Sequence, residues 1–523
     1  MPYYRCAAPA LLSALLLACC CAQAAPSAAP PPVEAFTRLP DISAPALSPD
    51  GGTIAYITSR SDAQGRGVQV LMTLDTKTQQ ARALLSSDAD TPFRMNRCDW
   101  ANARRLLCRF SGTTDLDYGF TYGTTRLVAV DADGGKVKVL IQNGRIGQAQ
   151  IQDRILDWTP DDPDHVLIQL DDDKDGLPAI FELNVNSGSL RMRDRSHWPI
   201  RNFVTDGRGN ARIGTGFAKD EYYYFARLDG DREWRRLEKF KAFEASKDVL
   251  EPLAVVPGTN TVYATGNHDG RDALWTIDLE DKKPPELLAH HPRVDISEPL
   301  FAPDGRLIGI EYETDKPAVY YVDGNADAIV KAAQKLLPDT YVFIVDSTQN
   351  ESVYLLGAYS DVDGGRYYRY DTRGGGTLQR LGVAYPELDP ATLGRMQPIS
   401  YPARDGTKIP GYLTVPPGSD GKNLPLIVMP HGGPIYRDRR GFDPLLSFLV
   451  SRGYAVLQMN FRGSSGYGRD WFYAAHQDWG GLSYDDVTDG ARWAIAQGIA
   501  DPRRVAIVGW SFGGYIALLG ATR

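Results

Sequence analysis

Near the end of the chain, Val505-Ala506-Ile507-Val508-Gly509-Trp510-Ser511-Phe512-Gly513-Gly514-Tyr515 sets a serine between two glycines, after an apolar run and before Tyr515-Ile516-Ala517-Leu518-Leu519. The order predicts a buried strand, a tight turn and a helix, which is the context a nucleophile elbow requires. In such a turn the serine takes a positive φ, and only glycines at positions 509 and 513 let strand and helix backbones come close enough. Ser511 is therefore the candidate nucleophile for acyl transfer from a carbonyl substrate.

Attack by a hydroxyl creates an oxyanion, which preplaced backbone N–H groups stabilise without reorganising. His431-Gly432-Gly433-Pro434 follows the apolar run 424–429 and precedes the serine, as a glycine-rich oxyanion loop does. We assign one donor to the N–H of Gly433 and the other to the N–H of Phe512. His431 reads as a loop histidine that orders the glycines, because in this arrangement the general base follows the serine in the chain. Arg462 fits either a substrate carboxylate or a brace between loops, and Tyr436 either the oxyanion or packing. Asp485 and Asp486 read as carboxylates complementing the start of a helix.

The elements that must position these groups begin near Ala391. Strand-like runs at 397–403, 409–415, 424–429, 455–460 and 505–508 alternate with helical ones at 444–452 and 484–497. That alternation predicts an α/β domain, 391–523, with a parallel sheet. Before it, 36–390 repeats short β-branched runs broken by Asp/Gly turns, with little helical periodicity. The repeat passes through Leu47, Trp100, Trp158, Val204, Val255, Phe301 and Val345, spaced by roughly 45 to 58 residues, the range of a four-stranded propeller blade. Ser48-Pro49-Asp50-Gly51, Thr159-Pro160-Asp161-Asp162 and Ala302-Pro303-Asp304-Gly305 supply equivalent turns. The expected fold is an all-β seven-bladed propeller followed by a partial α/β-hydrolase domain.

In order along the chain, His431-Gly432-Gly433-Pro434, Asn460-Phe461-Arg462-Gly463-Ser464-Ser465-Gly466-Tyr467-Gly468, Asp485-Asp486-Val487 and Gly509-Trp510-Ser511-Phe512-Gly513-Gly514-Tyr515 resemble the prolyl oligopeptidase family of serine peptidases. The similarity is to its acylaminoacyl peptidase and bacterial dipeptidyl aminopeptidase branches. It implies hydrolysis of peptide bonds in short oligopeptides through an acyl-enzyme on Ser511, under a propeller that restricts access. It also implies a triad Asp roughly 80 residues after the serine and a His about 30 further on. Residue 523 is the last of the sequence, and all seven histidines precede Ser511. The expectation is thus a C-terminally truncated chain, close to inert alone, since losing a triad histidine costs about six orders of magnitude in kcat. A carboxylesterase on the same fold and a non-catalytic peptide- or protein-binding propeller are the alternatives. The paired glutamates with which the dipeptidyl branch grips a free N-terminus have no adjacent Glu-Glu counterpart here.

The first 24 residues, with Arg5, the apolar stretch 7–21 and Ala22-Gln23-Ala24, read as a signal peptide. A proline-rich linker, 25–35, follows. The expected location is periplasmic or secreted, with no transmembrane helix in the mature chain. Leu16-Leu17-Ala18-Cys19 offers the alternative of a lipoprotein anchored through Cys19. Cys6, Cys19, Cys20 and Cys21 lie in the leader, leaving Cys98 and Cys108, on a predicted hairpin, as either a bridge or two buried thiols. No His or Cys spacing suggests a metal or cofactor. The acidic run Asp171-Asp172-Asp173 with Asp175 lacks the final Glu of a calcium loop and reads as a solvated turn. A formal charge of −8 argues against nucleic acid as a partner.

Overall fold

Each predicted Pro-Asp turn closes a hairpin. Gly51 N–H donates to Ser48 O, Asp162 N–H to Thr159 O and Gly305 N–H to Ala302 O. Pro fixes φ in the turn, and Gly51 and Gly305 take the positive φ that follows. The computed structural model describes residues 29–61, 64, 66–87, 90–115, 119–142, 149–171, 177–195, 197–241 and 249–523. The leader with Cys6, Cys19, Cys20 and Cys21, residues 25–28 of the linker, and the acidic run after Asp171 lie outside them.

Seven antiparallel sheets, spanning 43–86, 94–139, 155–194, 200–241, 251–289, 296–321 and 341–383, form the blades. The inner strands buried from both sides read as near-continuous apolar runs, as in His165–Asp171, where only the ends escape burial. Blades one and seven share no strand. Their seam is held by Leu47, Ile54 and Leu74 packed on Val353, Leu355 and Leu381, and by the Leu47 N–H donating to Asp346 Oδ2 at 2.9 Å. Cys98 and Cys108 stand opposite each other on paired strands, 4.0 Å apart between Cα atoms, and form the disulfide, one of the two readings the sequence allowed.

Blade six departs from the expected pattern. It has three strands, and the chain then enters a helix, Gly324–Leu336, absent from the sequence reading. Asp323 caps it, its carboxylate accepting the N–H groups of Asn325 and Ala326. Ile329 and Ala333, one turn apart, bury its inner face on Val342, Tyr354 and Leu356 of blade seven.

The second domain is a five-stranded sheet of β1 (Met396–Pro402), β2 (Lys408–Thr414), β3 (Leu424–Val428), β4 (Ala455–Met459) and β5 (Ala500–Ile507), in the order β1-β2-β4-β3-β5. β3, β4 and β5 are parallel, as expected, whereas β1 and β2 add an antiparallel hairpin at one edge. The short 403–407 turn between them permits no crossover, so it can only join antiparallel neighbours. Alternate residues of β3 feed opposite cores. Leu426 and Val428 face α2 (Leu482–Ala496) and α3 (Phe512–Gly520), while Ile427 and Met429 face α1 (Pro444–Ser451). The start of the described chain straps the domains together. Phe36 packs edge-on against Phe448 at 5.7 Å, and Arg452 donates to Pro31 O at 2.7 Å. Among the described residues, no helix is long and apolar enough to cross a membrane.

Candidate active site

Ser511 sits between β5 and α3 with φ 53° and ψ −123°, outside the ordinary regions for a residue with a side chain. Its side chain makes no capping bond to the helix it precedes, and the residue is exposed. The flanking glycines explain how the turn closes. A Cβ on Gly509 would lie 2.6 Å from the carbonyl carbon of Gly513, and one on Gly513 would meet the carbonyl oxygen of Pro430. Gly513 thus brings the N-terminus of α3 onto the end of β3, where the 431–434 loop begins.

That loop reaches Ser511 through Gly432, whose Cβ direction points at the Ser511 Cβ, 3.5 Å away. Gly433 has φ 124°, and a Cβ there would collide with the Ile435 nitrogen at 2.6 Å, so the bend requires glycine. The N–H groups of Gly433 and Phe512 make no hydrogen bond among the described residues.

His431 faces the other way. It is buried, its Nδ1 lies 2.8 Å from Gly432 O, and its Nε2 lies 2.8 Å from Ser464 Oγ. A carbonyl only accepts, so the proton belongs on Nδ1, and the single Ser464 hydroxyl proton lies between two acceptors, His431 Nε2 and the Phe461 carbonyl at 2.7 Å. Its ring stacks on Phe461 at 4.3 Å. Burial pushes its pKa down to about 4, so it stays neutral at pH 7. The sequence placed His431 in the oxyanion loop; its partner Ser464, in the Asn460 to Gly468 motif, was not singled out.

Arg462 and Asp486 take clear positions. Arg462 is nearly buried and donates twice to Asp486 and once to Asp405. It braces the loops, the second of its two sequence readings. Asp486 is not a capping carboxylate: α2 is capped by Gly481, and Asp486 lies buried one turn further along. Asp485 does sit in the first turn, where it pairs with Arg404. Tyr436 is exposed at the mouth of the site, its ring 6.0 Å from that of His431.

Between the domains lies a cavity of about 400 Å³ that reaches the elbow at Trp510 and the loop at His431. Blade six contributes Glu311 and Glu313, and the stretch after the oxyanion loop contributes Arg437, Asp438 and Arg439. Burial raises the carboxyl pKa values of Glu313 and Asp438. Arg437 ties the walls together, donating to Glu313 O and Thr314 O at 3.1 Å each and to the Tyr467 hydroxyl at 3.0 Å. These residues escaped the sequence reading because Arg437-Asp438-Arg439-Arg440 looks like a solvated charge run. Its one clue was its place directly after His431-Gly432-Gly433-Pro434. Among the described residues, no cluster of His, Cys, Asp and Glu could hold a metal.

Residues 440–523 match the prolyl oligopeptidase family. The chain is 28% identical over 498 residues to dipeptidyl aminopeptidase BIII of Pseudoxanthomonas mexicana, covering 92% of this chain and 68% of that protein. It is 24% identical to dipeptidyl peptidase family member 6 of Caenorhabditis elegans, over 92% and 67% of the two chains. The fold is that of a puromycin-hydrolyzing peptidase from Mycobacterium tuberculosis, with TM-score 0.65, 19% identity and coverage of 95% and 78%.

Proposed function

We propose, from the premise that this chain belongs through its α/β segment to the prolyl oligopeptidase family of peptidases, that it hydrolyses peptide bonds in short peptides through an acyl-enzyme on Ser511. The observation that carries this reading is the exposed Ser511 at φ 53°, with the Gly433 N–H of the glycine loop and the Phe512 N–H of the elbow left unbonded among the described residues. In the proposed reaction, Ser511 Oγ attacks the scissile carbonyl as a base takes its proton. The Gly433 and Phe512 N–H groups, with the start of α3, stabilise the resulting oxyanion. The acyl group remains on Ser511 as the amine leaves with a proton, and water releases it.

His431 is not the base in this reading. Both its nitrogens are engaged, and its low basicity suits a neutral strut that sets the Gly432 carbonyl. The reading takes neither the base nor its carboxylate from the described residues. Export to an oxidising compartment, suggested by the leader, is in keeping with a Cys98–Cys108 bridge.

The test compares a peptide anilide with a nitrophenyl ester, using a chain extended to the length of its relatives, with and without Ser511→Ala. Amide turnover that disappears with the serine is expected. Ester turnover without amide turnover would move the protein to the carboxylesterases.

A further inference from the structure

The missing fourth strand of blade six leaves Pro317–Tyr321 as an open edge. Its register shows which backbone groups are free. Tyr321 pairs with Gly309, and Val322 N–H donates to Ile308 O at 3.0 Å, so residues 318, 320 and 322 turn their polar groups toward the blade. Residues 317, 319 and 321 therefore turn theirs outward. Pro317, which has no N–H to offer the ladder, falls in the outward set. The N–H and C=O groups of Val319 and Tyr321 take no backbone partner on that side among the described residues.

This edge does not face open solvent. It lines a groove of about 560 Å³, within the roughly 300–1,000 Å³ range of ligand sites, whose opposite wall is the Gly324–Leu336 helix through Val330 and Gln334. The groove and the Ser511 cavity share Pro317, Ala318, Tyr341, Tyr359 and Arg440 as a common wall. Two exposed cations at the groove, Lys316 and Arg395, have no ion pair or hydrogen bond among the described residues. Asp361 is engaged with Arg440 at 3.7 Å, which leaves Asp339 as the carboxylate that offsets them.

We propose that this groove is a binding site for an extended segment of an oligopeptide, which adds to blade six as its fourth strand through the Val319 and Tyr321 backbone and directs its terminal carboxylate to Lys316 and Arg395. Strand addition suits a five-residue edge, because main-chain bonds give affinity independent of sequence. The shared wall makes the segment continuous with a substrate lying over Ser511, so this inference rests on the peptidase reading. Such a substrate is held at a distance from its scissile bond, which favours peptides longer than the cavity alone accommodates.

Binding is measured without turnover, by calorimetry on the full chain carrying Ser511→Ala, with an eight-residue peptide ending in a free carboxylate. N-methylation at alternate residues of the peptide in one register should weaken binding about tenfold, the effect of losing one or two backbone hydrogen bonds, and in the other register should leave it unchanged. Val319→Pro, which removes an outward N–H and no ladder bond, should reproduce the loss. Lys316→Ala with Arg395→Ala should abolish any preference for the free acid over the C-terminal amide. Equal binding of both methylated registers overturns the proposal, as does absence of peptide binding. A Val319→Pro variant that loses self-association instead assigns the edge to a second copy of the chain, and also overturns it. Labelling of unsubstituted Ser511 by a fluorophosphonate, in the chain extended to the length of its relatives, reports separately on the hydrolase reading, so failure of the groove and failure of the serine chemistry are distinguished.

Discussion

Arg462 and Asp486 meet through two parallel hydrogen bonds, Nε to Oδ2 at 3.0 Å and Nη2 to Oδ1 at 2.6 Å, while the Arg462 backbone N–H donates to the same Oδ2. The pair joins the loop after β4 to α2, and donation to the Asp486 carboxylate raises the guanidinium pKa further. Asp486→Asn should destabilise the chain by about 3 kcal/mol, the lower end for an unpaired buried charge, because Asp405 still faces the guanidinium. Urea unfolding checks the magnitude, and Asp405→Asn should cost far less.

His431 makes stability depend on pH in a defined direction. Its folded pKa, about 4, lies below the unfolded value of about 6.5, so the unfolded chain binds the extra proton first. Its contribution is intact above pH 6.5 and is lost as pH falls toward 4, by about 3 kcal/mol in all. In His431→Gln the urea midpoint should fall less steeply over that window. An unchanged slope would show that the ring is not buried neutral.

Gly513→Ala tests the elbow without touching the nucleophile. The new methyl meets the Pro430 carbonyl oxygen, a backbone atom that cannot swing aside. The cost should be about 1–3 kcal/mol, with α3 pushed off the end of β3. Fluorophosphonate labelling of Ser511 should slow at least as far as thermal stability falls, whereas Gly498→Ala, at a positive φ with open space around it, should leave labelling unchanged.

Arg437→Lys should loosen the domains from each other. A lysine carries three donors on one point and cannot span the two blade-six carbonyls and the Tyr467 hydroxyl that the guanidinium fork reaches. Limited proteolysis should cut the variant near residues 384–395 faster than the parent, with the propeller surviving as a resistant core.

The elbow was legible because its requirements are local: an apolar strand, a glycine two residues to each side and a helix, all within 505–519. Blade count was legible through the spacing of the strand segments, with Pro-Asp turns closing the inner hairpins of blades one, three and six. What escaped depends on tertiary context. The Gly324–Leu336 helix is short and rich in alanine, and its few apolar residues acquire meaning only against blade seven. Asp486 looked like a dipole-complementing residue because nothing local reveals that Arg462, in another motif, lies across from it. Arg437 looked solvated because its partners are carbonyl groups more than a hundred positions earlier, and carbonyl groups leave no mark in a sequence.

Phe36 and Phe448, in contact across the interdomain strap, are separated by most of the polypeptide. At about 5–20 residues per second, a ribosome that has released the first ring must work for roughly 20 to 80 seconds more before it makes the second. Throughout that interval the helix carrying Ala35 and Phe36 is covered only in part, by Val362 of blade seven and Leu388 once these are made, and lacks the Phe442 and Phe448 side of its pocket. The nascent protein therefore carries an apolar end whose burial is completed only by a domain made much later, and any holding factor that binds it early has to let go late.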